Sequence, residues 1–185
     1  MSAIDRLLAN YSRQVHLPWS PNMSGKQRVW FAVYPPAEER RLRAQLPKFE
    51  AVTLQAHHGW STVDLTRLLP EWIASHEYRE DIFRQPEHFS VNNEIEDLAV
   101  ERVRQNCSRD DADATSVVAV TGLASLFDFM RVSSLIDRVE DCVRGRILVF
   151  FPGEYSGNVY RFMDARDGFN YMAVPITSTE SFLIP

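Results

Sequence analysis

Glycine is scarce in this chain, with 7 among 185 residues against ten prolines. That is about half the ordinary share of ~7%. Few glycines leave little room for loops whose backbone N–H groups cradle a phosphate. Neither GxGxxG nor GxxxxGK[ST] occurs, which excludes the standard dinucleotide and P-loop signatures. Cysteine is scarcer still. Cys107 and Cys142 have no CxxC spacing and no histidine at ligand spacing. Two thiols rule out a disulfide framework and read as buried or half-buried side chains. Positive charge is in deficit, with a formal net charge of -5. That argues against a free-standing nucleic-acid binder, which needs a basic surface. Long apolar runs are missing too. Runs such as Val117 to Val120 and Ile147 to Pro152 have strand length, far below the ~20 residues of a membrane span. The start, Met1-Ser2-Ala3-Ile4-Asp5-Arg6, lacks the basic and apolar regions of a secretion signal. The expectation is a cytoplasmic protein without a membrane anchor.

What is present describes an ordinary globular chain. Hydrophobic residues make up 45% and charged residues 24%, which excludes a disordered class. The length fits one domain over residues 1–185 that needs no disulfide or metal staple. Ser2 with Asp5 reads as a capping box, and Ile4, Leu7, Leu8, Tyr11 and Val15 follow at helical spacing. Residues 1–27 are therefore an N-terminal helix and a loop. Arg28 to Tyr34 reads as a strand ending at Pro35-Pro36. A charged helix over Ala37 to Leu46 is expected to close at Pro47, and a second strand to run from Ala51 to Leu54 up to His57-His58-Gly59. A helical insert follows over residues 61–107. Ser116 to Thr121 and Ile147 to Phe151 are the clearest buried strands, with an apolar helical region from Leu123 to Cys142 between them. Residues 158–176 suggest an edge hairpin. Strands alternating with helices imply parallel strands and right-handed crossovers. The expected class is α/β, a Rossmann-like three-layer sandwich with a mostly parallel sheet of order 2-1-3-4 and a helical insert.

Open α/β sheets bind ligands at the carboxyl ends of their strands. In this arrangement those ends carry Tyr34, His57 and His58, Thr121 and Gly122, and Gly153, Glu154 and Tyr155. Thr121-Gly122 follows a strand and opens a helix, so its free N–H groups either hold an anion or simply make a tight turn. Adjacent strand residues point to opposite faces, so His57 and His58 do not make a metal pair, and His76 and His88 have no ligand spacing. No metal or cofactor is expected. Glu154 is the best carboxylate for acid–base work, with His58, Arg131 and Arg161 as partners. Pro152-Gly153 reads as a turn, however, and leaves Glu154 free to bond its own loop. No GxSxG or cysteine motif supports a nucleophile. Arg40, Arg41, Arg43 and Lys48 alternate with Glu38, Glu39 and Glu50, the pattern of a solvated helix face. Trp60, Trp72, Tyr78, Phe83 and Phe89 crowd the insert among charges. A partner surface and the core of a helical subdomain fit that density equally.

Three segments together resemble one family. They are Tyr34-Pro35-Pro36-Ala37-Glu38-Glu39, the run Thr121-Gly122-Leu123-Ala124-Ser125-Leu126-Phe127-Asp128-Phe129-Met130-Arg131, and Phe150-Phe151-Pro152-Gly153-Glu154-Tyr155. The chain resembles the BrxB family, accessory components of BREX (bacteriophage exclusion) systems, from about Ile4 to Ile176. Tyr171-Met172-Ala173 departs from the Tyr-Tyr-Arg expected there. The resemblance implies a host-encoded anti-phage role and no catalytic residues. It implies a non-catalytic adaptor whose partners are other BREX proteins, a PglZ-like alkaline-phosphatase-type component first, with DNA contact left to those partners. The alternative is a nucleotide- or anion-binding module or an enzyme. It would use the strand-end cleft of Thr121, Gly122, Arg131 and Glu154 with His58.

Overall fold

A computed structural model describes residues 2–85, 92–163, 169 and 172–179. The first helix, α1 (Ala3–Val15), starts at the expected capping box. The Asp5 N–H donates to Ser2 Oγ at 3.1 Å, and the Ser2 N–H donates to Asp5 Oδ2 at 2.8 Å. Strand β1 (Val29–Tyr34) follows, then α2 (Glu39–Gln55) and β2 (Gly59–Asp64). Next come α3 (Leu68–Ser75), α4 (Arg79–Arg84), α5 (Asn92–Cys107) and β3 (Ser116–Thr121). The remainder is α6 (Val132–Val139), β4 (Arg146–Ser156), β5 (Val159–Phe162) and β6 (Val174–Ile176).

Helix α2 corrects the expected second strand. It runs through Pro47 and absorbs Ala51 to Leu54. An internal proline costs about 3 kcal/mol. Leu42, Phe49 and Thr53 are buried along one face on either side of it. Burying the leucine and phenylalanine stabilises by about 1.5–3 kcal/mol each, which offsets the proline. The true β2 begins at Gly59, so the helical insert begins after Asp64 rather than at residue 61. The expected helical region from Leu123 to Cys142 is also divided. A 3-10 turn at Leu123–Leu126 and another at Glu140–Cys142 flank α6, and Asp128 takes a left-handed φ of 71° between the first turn and the helix.

The α/β class holds, with a sheet of six strands, but the strand order differs. It is β2-β3-β4-β1-β6, all parallel, with β5 antiparallel to the far end of β4. Strand β1 sits between β4 and β6 rather than beside β2 and β3. Every residue of β1 and β3 is buried, whereas β2 is mostly half-exposed. Strands apolar on both faces belong inside a sheet and the mixed one at its edge. The chain travels from β1 to the β2 edge with α2 on one face. It then returns through β3 and β4 with α3, α5 and α6 on the other. Reversing direction and face together keeps a single crossover hand. Within the range expected to hold an edge hairpin, β5 pairs with β4, β6 pairs with β1, and Tyr160 bridges Phe169 in antiparallel fashion.

Alternation along β1 divides the core. Trp30, Ala32 and Tyr34 join Ile4, Leu7, Tyr11, Leu42 and Phe49 under α1 and α2. Phe31 and Val33 join Leu68, Ile95, Val103, Leu135 and Val139 under α3, α5 and α6. These two layers hold the carboxyl ends of β1, β2 and β3 at one end of the sheet.

Candidate functional site

Parallel register places Asp64, the last residue of β2, directly beside Thr121, the last residue of β3. A polar network grows from this pair. Thr66 donates its backbone N–H to Asp64 Oδ1 at 2.9 Å and its hydroxyl to the same oxygen. The neighbouring Thr121 hydroxyl helps to favour the charged form of the Asp64 carboxyl. Arg43 Nη2 donates to Thr66 Oγ1 at 2.8 Å, and its Nε donates to Glu39 Oε1 at 2.8 Å. The other Glu39 oxygen accepts the Tyr34 hydroxyl. The ends of β1, β2 and β3 and the first turns of α2 are thereby tied together.

The charges follow from these contacts. Partial burial by itself would raise the Asp64 carboxyl, but hydrogen bonds from Thr66 and the nearby Arg43 charge hold it below the usual carboxylate range. Burial first, and then the bond to Glu39, push the Tyr34 phenol up. Asp64 is therefore a fixed anion, able to accept a further hydrogen bond. Among the described residues no group of three or more His, Cys, Asp or Glu side chains is arranged to hold a metal ion.

Gly122 makes the network geometrically feasible. Its φ of +81° is left-handed, which favours glycine. A β-carbon there would stand 2.5 Å from the Thr66 nitrogen and 2.9 Å from Asp64 Oδ1. Ser125 closes the turn by donating to the Gly122 carbonyl at 2.7 Å.

Of the residues expected at the strand ends, Tyr34, Thr121 and Gly122 lie in or against this network. Arg131 is the exposed N-cap residue of α6. Gly153, Glu154 and Tyr155 do not form a turn; they extend β4 opposite Phe162, Arg161 and Tyr160. The register matches Val120 with Val149. Glu154 thus lies four residues past the level of Thr121, about 13 Å along the strand. Its carboxylate reaches Arg161 at 4.0 Å with the side chain 75% exposed. The Tyr155 hydroxyl donates to Asn158 Oδ1 at 2.9 Å. His58 lies at the opposite, amino end of the sheet, just before Gly59. There it stacks on Trp19 with ring centroids 3.7 Å apart, and its Nδ1 meets the Thr115 carbonyl at 2.9 Å. Burial lowers its pKa. Asp64, Thr66, Glu39 and Arg43 were not singled out as site residues. The local signal for them is Asp64-x-Thr66 directly after β2, which only the strand's true position at Gly59–Asp64 brings out.

The aromatic insert divides between the two readings. Trp72 packs against the core and donates from Nε1 to Glu94 Oε2 at 3.1 Å. Phe83 is 71% exposed and Tyr78 53%. Leu69, Pro70, Ile73, Ala74, Arg79 and Phe83 line an apolar groove of about 420 Å³ between α3 and α4. His88, Phe89 and Tyr171 lie outside the described residues. No helix among the described residues is long and apolar enough to cross a membrane.

Comparison with known proteins places these features in a family. No curated protein and no solved structure matches the chain. The family model for BREX protein BrxB matches residues 61–176, from β2 to the end of β6. That span is more than half of the chain and includes the Thr121 to Arg131 and Phe150 to Tyr155 segments. It starts later than Ile4 and leaves out Tyr34 to Glu39. The chain belongs to the BrxB family of BREX proteins.

Proposed function

We infer that this BREX phage-defence component works as a non-catalytic adaptor, acting through protein–protein contacts with other BREX proteins. The PglZ-like component is the first of these. The observation that carries the reading is the apolar groove between α3 and α4, with Phe83 exposed beside it. Exposed aromatic and aliphatic anchors of this kind are where protein interfaces concentrate their affinity. The groove lies within the segment matched by the family model.

The strand-end network supports the same reading. Its carboxylates are held by internal partners: Asp64 by Thr66, and Glu39 by Arg43 and Tyr34. An anionic Asp64 beside the Gly122 turn repels a phosphate from the N–H groups there, which weighs against the nucleotide- or anion-binding alternative. With a formal net charge of -5, DNA contact is assigned to the partners.

The test is a pull-down from cells expressing the other BREX components at physiological salt. The wild-type chain retains the PglZ-like component, and Phe83→Asp lowers that retention at least tenfold. Failure of the wild-type chain to retain any BREX protein would overturn the adaptor reading. Full retention by Phe83→Asp would place the contact elsewhere. A thermal shift with nucleotides that Thr121→Val abolishes would favour the anion-binding module.

A further inference from the structure

We propose that the free edge of β2 pairs with the same edge of a second copy of this chain, joining two sheets across a two-fold axis at Thr62. Strand β2 ends the sheet, with β3 as its neighbour on the inner side. The Leu65 N–H donates to the Thr121 carbonyl at 3.0 Å. Backbone direction alternates along a strand, so Ser61 and Val63 also face β3. Trp60, Thr62 and Asp64 therefore turn their N–H and C=O groups outward. Thr62 and Asp64 are exposed, so α2 does not close over this edge. An open row of backbone donors and acceptors is a template for another strand.

The two edges of the sheet are built differently. Folded proteins blunt an edge with proline, lysine, a bulge or a short strand. Strand β6 is three residues long, with Pro175 at its centre. Just beyond it, Asn10 Nδ2 donates to the Thr177 carbonyl at 2.7 Å and Arg6 Nε to the Ser178 carbonyl at 3.2 Å. Helix α1 thus covers the chain on that side. Strand β2 carries none of these devices. Gly59-Trp60-Ser61-Thr62-Val63-Asp64 has no proline and no lysine, and its register with β3 runs without a bulge. Its single charge, Asp64, stands at the last position.

The edge is complementary to its own copy. A two-fold axis perpendicular to the sheet makes the joined strands antiparallel. Centred on Thr62, it sets outward residue against outward residue. Thr62 meets the second copy's Thr62, and Trp60 meets the second copy's Asp64. Threonine pairs stabilise an antiparallel ladder, and like charges directly opposite destabilise it. In this register the anionic Asp64 faces an indole and never the other carboxylate. Trp60, Thr62 and Asp64 share the α2 face, because alternate residues point the same way and Trp60 packs in the α2 layer. The Trp60 Nε1–H already lies along that face, donating to Thr62 Oγ1 at 2.9 Å. Asp64 is held from within its own chain by the Thr66 N–H at 2.9 Å, which fixes the end of the edge before a second copy arrives.

Sedimentation of the full chain over a dilution series tests the pairing. The wild-type chain should run as two copies and dissociate to one on dilution. Thr62→Pro removes an outward N–H and spares the β3 ladder. Thr62→Lys sets two cations against each other at the axis. Each should weaken association about tenfold or more while circular dichroism stays that of the folded chain, and the lysine variant decides the matter if the proline variant does not fold. Hydrogen-bonded antiparallel pairs hold their Cα atoms ~5.5 Å apart, within disulfide reach. Thr62→Cys should therefore join two chains through position 62 under mild oxidation, with the wild-type chain as control and peptide mapping to locate the bond. Phe83→Asp should leave the pair intact, so pairing and partner binding are read separately. A wild-type chain that stays single at every concentration, association unchanged in both Thr62 variants, or an edge taken up only by an extended segment of another protein would overturn the proposal.

Discussion

Gly122 packs against the Asp64–Thr66 turn so closely that a β-carbon would sit 2.5 Å from the Thr66 nitrogen. One residue after β3 therefore decides how β2 ends. The Leu65 N–H donates to the Thr121 carbonyl at 3.0 Å, which holds the two strand ends level.

Gly122→Ala should destabilise the fold by about 2–4 kcal/mol, combining a left-handed backbone with overpacking. Urea denaturation measures it. A change within experimental error would show that the turn relaxes freely.

Asp64→Asn should show its effect through pH. The folded pKa of Asp64 is depressed relative to the unfolded value of ~4. Its stabilising contribution is present above that unfolded value and is lost as pH falls through the folded one. The stability gap between wild type and Asp64→Asn should be widest above the unfolded value and close as pH falls through the lower folded one. Denaturation midpoints across that window test it, and a gap independent of pH would contradict the assigned role.

Phe83→Asp should change stability by about 0.5 kcal/mol or less, because the side chain is 71% exposed. Phe31→Ala should cost about 3–5 kcal/mol. Its ring is fully buried, stacked on Phe151 with centroids 5.1 Å apart. The contrast separates a binding surface from the core.

Glu154→Ala and Gly153→Ala should differ sharply although they are neighbours. Glu154 and Arg161 are both mostly exposed and meet at 4.0 Å, so losing that pair costs about 0.5 kcal/mol or less. A β-carbon on Gly153 would lie 2.1 Å from the Arg161 carbonyl oxygen. Opening the β4–β5 pair to admit it should cost about 1–3 kcal/mol. Amide exchange of Arg161 and Phe162 would report the opening directly.

The sequence alone determined the local features. Ser2 and Asp5 marked the start of α1, because a capping box is complete within four residues. β1, β3 and the first half of β4 were legible as apolar runs, because burial on both faces removes alternation. Tertiary structure decided the rest. It turned Ala51 to Leu54 into helix, because burial of Leu42, Phe49 and Thr53 along one face outweighs the break at Pro47. It kept Pro152-Gly153 extended, because β5 pairs with the end of β4. It sent His58 to the far end of the sheet and brought Asp64, Thr66 and Arg43 to Thr121. Strand order and side-chain networks join residues far apart in the chain, and no local period records which of them will meet.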